Sequence, residues 1–216
     1  MSRRHVAIFT RAPVAGAAKT RLIPLLGAQG AADAQRRMTW HALQTACALP
    51  GASVSLWCAG DIAHPFLRLC ASHFGVDCVA QCEGGLGMRM ADCLQRLLAV
   101  HEQVLLTGSD CPAMSVADLA DAAAALEEAR MVFIPAQDGG YVLVGARRGG
   151  LEARCFDEVA WGSAEVMAQT RAQLLKLGWS PSRDWREMPA LWDVDTPEDF
   201  ERARRLDALP RNSHEA

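Results

Sequence analysis

HVAIFTRAPVAGAAKTRL, residues 5–22, is a buried-strand pattern that breaks into a loop carrying Arg11, Lys19, Thr20 and Arg21. The run HVAIF (5–9) shows no polar alternation, which is the pattern of a strand covered on both faces. A loop that follows such a strand lies at the carboxyl edge of its sheet, where open α/β folds bind ligands. The charge in this loop is local. The whole chain carries a net charge of −3, whereas a nucleic-acid backbone binder needs a strongly basic domain.

Working outward, the chain repeats the same order of strand and helix. SVSLWCA (53–59), VDCVA (76–80), QVLLTG (103–108), MVFIPA (131–136) and YVLVGA (141–146) read as further strands. Helical patterns run through AQGAADAQRRMTWHALQTACAL (28–49), FLRLCASHF (66–74), MRMADCLQRLLAVH (88–101), SVADLADAAAALEEA (115–129) and SAEVMAQTRAQLLKLG (163–178). Ser115 with Asp118 forms a capping-box start, and Gly178 is a helix stop. Solid apolar strands alternating with helices predict an α/β domain with a largely parallel sheet covered on both faces. A chain of 216 residues, half of them hydrophobic, suits one domain over 1–216. Its core is expected over about 5–208, with a frayed tail in PRNSHEA (210–216).

No stretch reads as a signal peptide or a membrane span. Eight scattered cysteines without a CxxC pair read as reduced thiols of a cytoplasmic protein. The six histidines are dispersed, and neither GxSxG nor HExxH occurs, so no nucleophile or zinc site is signalled.

The loop superficially resembles the phosphate-binding pattern G-x-x-x-x-G-K-S/T, but Ala18 precedes Lys19 and Gly16 is its one glycine. Without the glycine pair the backbone cannot form that anion nest. Cationic side chains offer another route, since lysine supplies a point charge and arginine a bidentate fork for phosphate oxygens. Several in one loop suit a di- or triphosphate; a solvated basic loop is the alternative. On the phosphate reading, removing Lys19 weakens nucleotide binding and leaves the melting temperature nearly unchanged.

Carboxylates recur at strand ends. Asp110 follows QVLLTG, either as a metal ligand or in an Asx-turn before Pro112. In LWDVDTPED (191–199), an extended LWDVD puts Asp193 and Asp195 on one face, while Thr196, Pro197 and Asp199 fit the start of a closing helix. Two such carboxylates repel unless a cation lies between them, and oxygen-only ligands point to Mg²⁺ or Mn²⁺. Exposed aspartates at a strand end are the alternative. Asp138-Gly139 is a hairpin signal between two strand-like runs, followed by Gly140 and Tyr141. In EGGLGMRM (83–90), Arg89 is placed to meet an anion near a helix start. Phosphate binders and carboxylates without a nucleophile suit transfer between bound substrates.

Taken in order, RAPVAGAAKTRL, GGLGMRM, GSDCP, DGGYVLVG, W-G-S and DVDTPED resemble the DUF2064 family of GT-A-type transferases. That family is related to the molybdenum-cofactor and phospholactate nucleotidyltransferases. The resemblance spans about residues 5–205 and implies a three-layer α/β/α nucleotide-diphospho-sugar transferase fold with a mixed, mostly parallel sheet. It implies a nucleotide or nucleotide-sugar donor, a small-molecule acceptor and a divalent metal. By position, Gly16, Lys19 and Arg21 fall in the nucleotide-phosphate loop, beside Arg11 and Thr20. Asp110, Asp193 and Asp195 fall at the metal, and Asp138, Gly139, Gly140 and Tyr141 line the acceptor side. Lys19 and Asp110 are the catalytic candidates. Two positions depart from the pattern: Met88 stands where relatives usually carry an acid, and Arg11 where they often carry lysine. The expected function is nucleotidyl or glycosyl transfer; a non-catalytic nucleotide sensor is the alternative.

Overall fold

In the computed structural model, which describes residues 3–206 and 208, the expected alternation is present. It runs β1 (Arg4–Arg11), α1 (Ile23–Cys47), β2 (Ala52–Ala59), α2 (Pro65–Phe74), β3 (Asp77–Ala80), α3 (Leu86–Leu98) and β4 (Gln103–Gly108). It continues through α4 (Val116–Glu128), β5 (Met131–Pro135), β6 (Tyr141–Arg147), α5 (Val166–Lys176), β7 (Trp185–Glu187) and α6 (Pro197–Arg205). The stretch PRNSHEA, expected to fray, lies outside the described residues.

The strands form one sheet in the order β3-β2-β1-β4-β6-β5-β7. Every pairing is parallel except the two made by β6, which runs antiparallel to β4 and to β5. The fold is therefore α/β with a mixed, mostly parallel sheet. On β1, Val6 and Ile8 enter an apolar cluster with Leu43, Leu67 and Leu126, while Ala7 enters a second cluster with Leu94 and Leu174. Helices thus cover both faces, which is why HVAIF needs no polar alternation. The chain builds outward from β1 to β2 and β3, then returns to lay β4 on the other side of β1. That reversal is a topological switch point, and it opens a crevice beyond the carboxyl ends of β1 and β4.

Three local readings change. LWDVD is not a strand: Leu191 makes a single bridge to Ala136, and residues 192–195 lie outside any strand. The seventh strand is instead Trp185–Glu187, parallel to β5, too short to leave a period in the sequence. Helix α1 starts at Ile23, but Gly27 breaks it with φ 69 and ψ 169, so regular helix resumes at the residue where the apolar pattern begins. Both anticipated capping boxes form, Ser115 with Asp118 and Thr196 with Asp199.

Away from the crevice, His5 is buried with Nδ1 2.7 Å from Ser53 Oγ and Nε2 2.7 Å from Ser55 Oγ, and stacked on His101. Burial, and then the neighbouring His101, push its pKa down from 6.5 to about 4. Between those values the unfolded chain takes up a proton that the folded chain refuses, so stability falls as pH drops from 6.5 towards 4. Discounting for partial solvation, we expect a loss of about 1–3 kcal/mol. Urea unfolding at pH 7 and pH 5 measures it, and the His5→Gln variant should lose part of the pH dependence. The eight cysteines are free thiols, with Cys58 and Cys78 Sγ atoms 3.2 Å apart. Among the described residues, no helix is long and apolar enough to cross a membrane.

Candidate functional site

A small apolar cluster brings the basic loop and the distant acidic segment together. Leu22, just before α1, and Ala31, Ala34 and Met38 within it pack with Trp192, Val194, Phe200 and Ala203. Leu22 follows Lys19 by one turn, and Val194 separates Asp193 from Asp195; both are fully buried. The Val194 amide also donates to the Asp110 carbonyl at 2.9 Å, and Cys111 Sγ contacts the Trp192 carbonyl oxygen at 3.2 Å. Packing thus closes a loop of more than 170 residues of chain onto the end of β4.

The result is a bridged cation. Lys19 Nζ donates to Asp195 Oδ1 at 2.7 Å, to the Val194 carbonyl at 2.8 Å and to Asp110 Oδ2 at 3.0 Å. An ammonium has three N–H donors, so these contacts use all of them. Only 9% of the Lys19 side chain is exposed, against 35% for Asp110 and 43% for Asp195. Burial pushes the Lys19 pKa down, but the charges of Asp110 and Asp195 outweigh it and hold the group above its ordinary value. Burial pushes Asp195 up, and Lys19 and then Arg21 more than reverse this, leaving it below the usual aspartate range. Asp193 lacks such a partner. Burial first, then the charges of Asp110, Asp138 and Asp195, raise its pKa to about 7.

The bridge stands at the wall of a cavity of about 500 Å³ at the switch point, also lined by Arg11, Thr20, Arg21, Arg89, Tyr141 and Asp193. Arg11 is exposed and makes no hydrogen bond or ion pair among the described residues, while Arg21 reaches Asp195 Oδ2 only at 3.4 Å. Arg89 sits on the α3 side, its Nη1 donating to Gln81 Oε1 at 3.0 Å while its buried Nε has no partner. Met88 beside it is 63% exposed.

Gly16, expected in the phosphate loop, is not in the cavity wall; its φ of 82° makes the turn that carries the chain back towards Lys19. Of the four residues expected on the acceptor side, only Tyr141 lines the cavity. Asp138, Gly139 and Gly140 build the turn between β5 and β6, with the Gly140 amide donating to Asp138 Oδ1 at 2.9 Å. Gly139 has φ 96 and lies so close to the Ala164 backbone that a Cβ would meet the Ala164 carbonyl. We expect Gly139→Ala to cost about 2–4 kcal/mol from backbone strain and overpacking together, read as a lowered urea midpoint.

One contributor had no signal in the pattern of motifs. Gln35, in the buried part of α1, places Nε2 at 3.0 Å from Ser109 Oγ, 3.1 Å from Thr39 Oγ1 and 3.3 Å from Thr10 Oγ1. This buried polar knot ties the ends of β1 and β4 behind the bridge and lines the cavity through Thr10, Gln35 and Ser109. A lone glutamine among the alanines of an apolar helix face was the available clue.

The donor set can be tested against a divalent metal. Two carboxylate oxygens and one carbonyl oxygen converge on a single point, a hard, all-oxygen set of the kind Mg²⁺ and Mn²⁺ take, and the Lys19 ammonium is the stand-in cation there. Asp193 lines the same cavity but makes no bond to Lys19. Among the described residues, no three His, Cys, Asp or Glu side chains are grouped so as to hold a metal ion.

The family described as "Uncharacterized protein conserved in bacteria (DUF2064)" matches residues 42–163. That span includes GGLGMRM, GSDCP, DGGYVLVG and Trp161-Gly162-Ser163, but neither the basic loop nor DVDTPED. A crystal structure from Desulfovibrio desulfuricans G20, provisionally named a nucleotide-diphospho-sugar transferase, is 27% identical, with a TM-score of 0.86 over 99% of this chain and 90% of that one. A nucleotidyl transferase from Methanothermobacter thermautotrophicus is 12% identical, with a TM-score of 0.65 over 94% and 97% of the two chains. A 4-diphosphocytidyl-2C-methyl-D-erythritol synthase from Anaerococcus prevotii is 12% identical, with a TM-score of 0.63 over 94% and 96%. At such identities the last two show the fold alone. No curated protein matches the sequence.

Proposed function

The chain belongs to the DUF2064 family and has the nucleotide-diphospho-sugar transferase fold, and from that premise we propose that it transfers a nucleotidyl group from a nucleoside triphosphate to a small-molecule acceptor. The observation that carries the reading is the convergence of Lys19 from the first loop with Asp110 and Asp195 at the wall of one cavity. Names of the structural neighbours, a nucleotidyl transferase and a cytidyl-product synthase among them, support the reaction class.

In such a transfer an acceptor oxygen forms a bond to the α-phosphorus, the bond to the β-phosphate oxygen breaks, and pyrophosphate leaves with the electron pair. The acceptor's proton passes to solvent or a nearby carboxylate. This chain's part is positioning and charge. Arg11 and Arg21 face the cavity with donors to spare and meet the phosphates. Asp110 and Asp195 are the carboxylates that would hold Mg²⁺ or Mn²⁺, and the ion would neutralise charge on the transferring phosphate. Tyr141 and Arg89 face the remaining volume, where an acceptor fits.

Arg11→Ala tests the phosphate role cleanly, because Arg11 is exposed and makes no partner contact that the fold needs. Nucleotide affinity should weaken by about 1–3 kcal/mol, or roughly 5- to 150-fold, with an unchanged melting temperature. An unaltered dissociation constant in calorimetry would remove Arg11 from the site. The reaction itself is tested by incubating the protein with nucleoside triphosphates, nucleotide sugars, Mg²⁺ and an acceptor panel. Pyrophosphate release marks nucleotidyl transfer. Nucleoside diphosphate release from a sugar donor marks glycosyl transfer instead, and tight binding without turnover marks a nucleotide sensor.

A further inference from the structure

We propose that Asp110, Asp195 and the Val194 carbonyl form a cation seat that Lys19 and a divalent metal ion occupy in alternation, the chain's own ammonium group filling it until the metal displaces it. This rests on the transferase reading and adds regulation to it.

The first ground is coordination. The three oxygens surround one nitrogen at 2.7–3.0 Å, and no N–H of Lys19 is left for a phosphate. While Lys19 stays there it cannot act as a phosphate ligand, so the expected role of this residue requires it to leave.

The second ground is the choice of residue. The chain has 22 lysines and arginines together, yet only Lys19 and Lys176 are lysine. A compact ammonium fits three converging oxygens, as a metal ion does, whereas the planar guanidinium fork matches a flat pair of acceptors. Arginine elsewhere and lysine here fits a position that mimics a monatomic cation.

The third ground is backbone strain. Lys19 has φ 43 and ψ 50, a left-handed conformation that non-glycine residues adopt at a cost and keep only where surrounding contacts hold them. The Lys19 carbonyl accepts from the Leu22 amide at 2.8 Å, and the three bonds of the seat add to that hold. Once they are exchanged for a metal ion, one hold on the conformation is lost and the side chain is free to turn into the cavity. Arg11, Thr20 and Arg21 line the same cavity, so the released ammonium joins the phosphate-binding set. Charge favours the exchange as well: Asp193 feels the charges of Asp110 and Asp195 yet makes no bond to Lys19, and a dication in the seat compensates this group better than an ammonium.

The test uses Mn²⁺ alone on the nucleotide-free protein. Amine acylation followed by mass spectrometry reads two lysines, with exposed Lys176 as the internal reference. Without metal, Lys19 should label at least about tenfold more slowly than Lys176, as a group protected by native contacts does. Adding Mn²⁺ should speed labelling of Lys19 and leave Lys176 unchanged. In parallel, Lys19→Met should tighten Mn²⁺ binding by about tenfold or more, because the competing occupant is gone, and Asp195→Asn in that background should abolish the gain. Lys19→Gly, which also relieves the strained backbone, gives the same readout if the methionine variant does not fold. Saturating Mn²⁺ with no change in Lys19 labelling overturns the exchange, and so does Mn²⁺ affinity equal to wild type in both variants. A protein that binds no nucleotide yet passes these tests loses the transferase reading and keeps the seat.

Discussion

Asp110→Asn should cut turnover by about 100- to 1,000-fold, the scale of losing one electrostatic element preorganised at a reacting phosphate, while the fold survives. The substitution keeps the backbone carbonyl that accepts from the Val194 amide, and an asparagine oxygen still reaches Lys19. It removes the charge that aims the lysine, or a metal ion, at this point beyond β4. Nucleotide binding measured without metal should change little, whereas the part that depends on Mn²⁺ should disappear. Full turnover with a properly folded Asp110→Asn protein would sink the assignment of Asp110 to the reacting centre. The melting temperature provides the folding control, since Asp110 is about one-third exposed and its side chain is not in either large apolar cluster.

Much of this site was legible because strand order is written locally. The solid run at 5–9 and the run at 103–108 identify two buried strands, and the short loop that follows each must lie at the ligand edge. Arg11, Lys19, Arg21 and Asp110 were found that way. Asp193 and Asp195 were found for a reason that only half holds. The i, i+2 argument needed a strand, and residues 192–195 form none; burial of Trp192 and Val194 sets the alternation instead, through packing on the start of α1. Because that packing joins segments far apart in sequence, no local period reveals it. The same limit hid Gln35, whose partners sit on β1, on its own helix and after β4. The turn at Asp138-Gly139 was read both as a hairpin and as an acceptor wall; the hairpin forms, and the close approach of Ala164 accounts for Gly139.

Lys19 is where position and environment part company, and it yields a large expected effect on stability. Read as a loop cation, it would be removable at little cost to the fold. Its ammonium is buried between Asp110 and Asp195, which are themselves 35% and 43% exposed, with Arg21 still near Asp195; losing it costs about 2–4 kcal/mol, below the figure for a fully buried pair. For a chain of this length, Lys19→Met should therefore lower the melting temperature by roughly 4–16 °C. Lys19→Gly separates two opposing effects, since it deletes the same charge but removes the strain of the left-handed backbone; it should be less damaging than methionine. Adding Asp195→Asn to Lys19→Met should restore part of the loss, because one unpaired charge goes with it, giving a coupling of about 1–3 kcal/mol in the double-mutant cycle. The pH dependence has the matching sign. Asp195 is held below its ordinary pKa by Lys19 and Arg21 against the opposing push of burial, so its contribution is present above the unfolded value and fades as acid protonates the folded carboxylate. In Lys19→Met that acid-sensitive contribution should shrink. Additive single-mutant effects, with an unchanged acid limb, would show that the bridge does not hold these residues together.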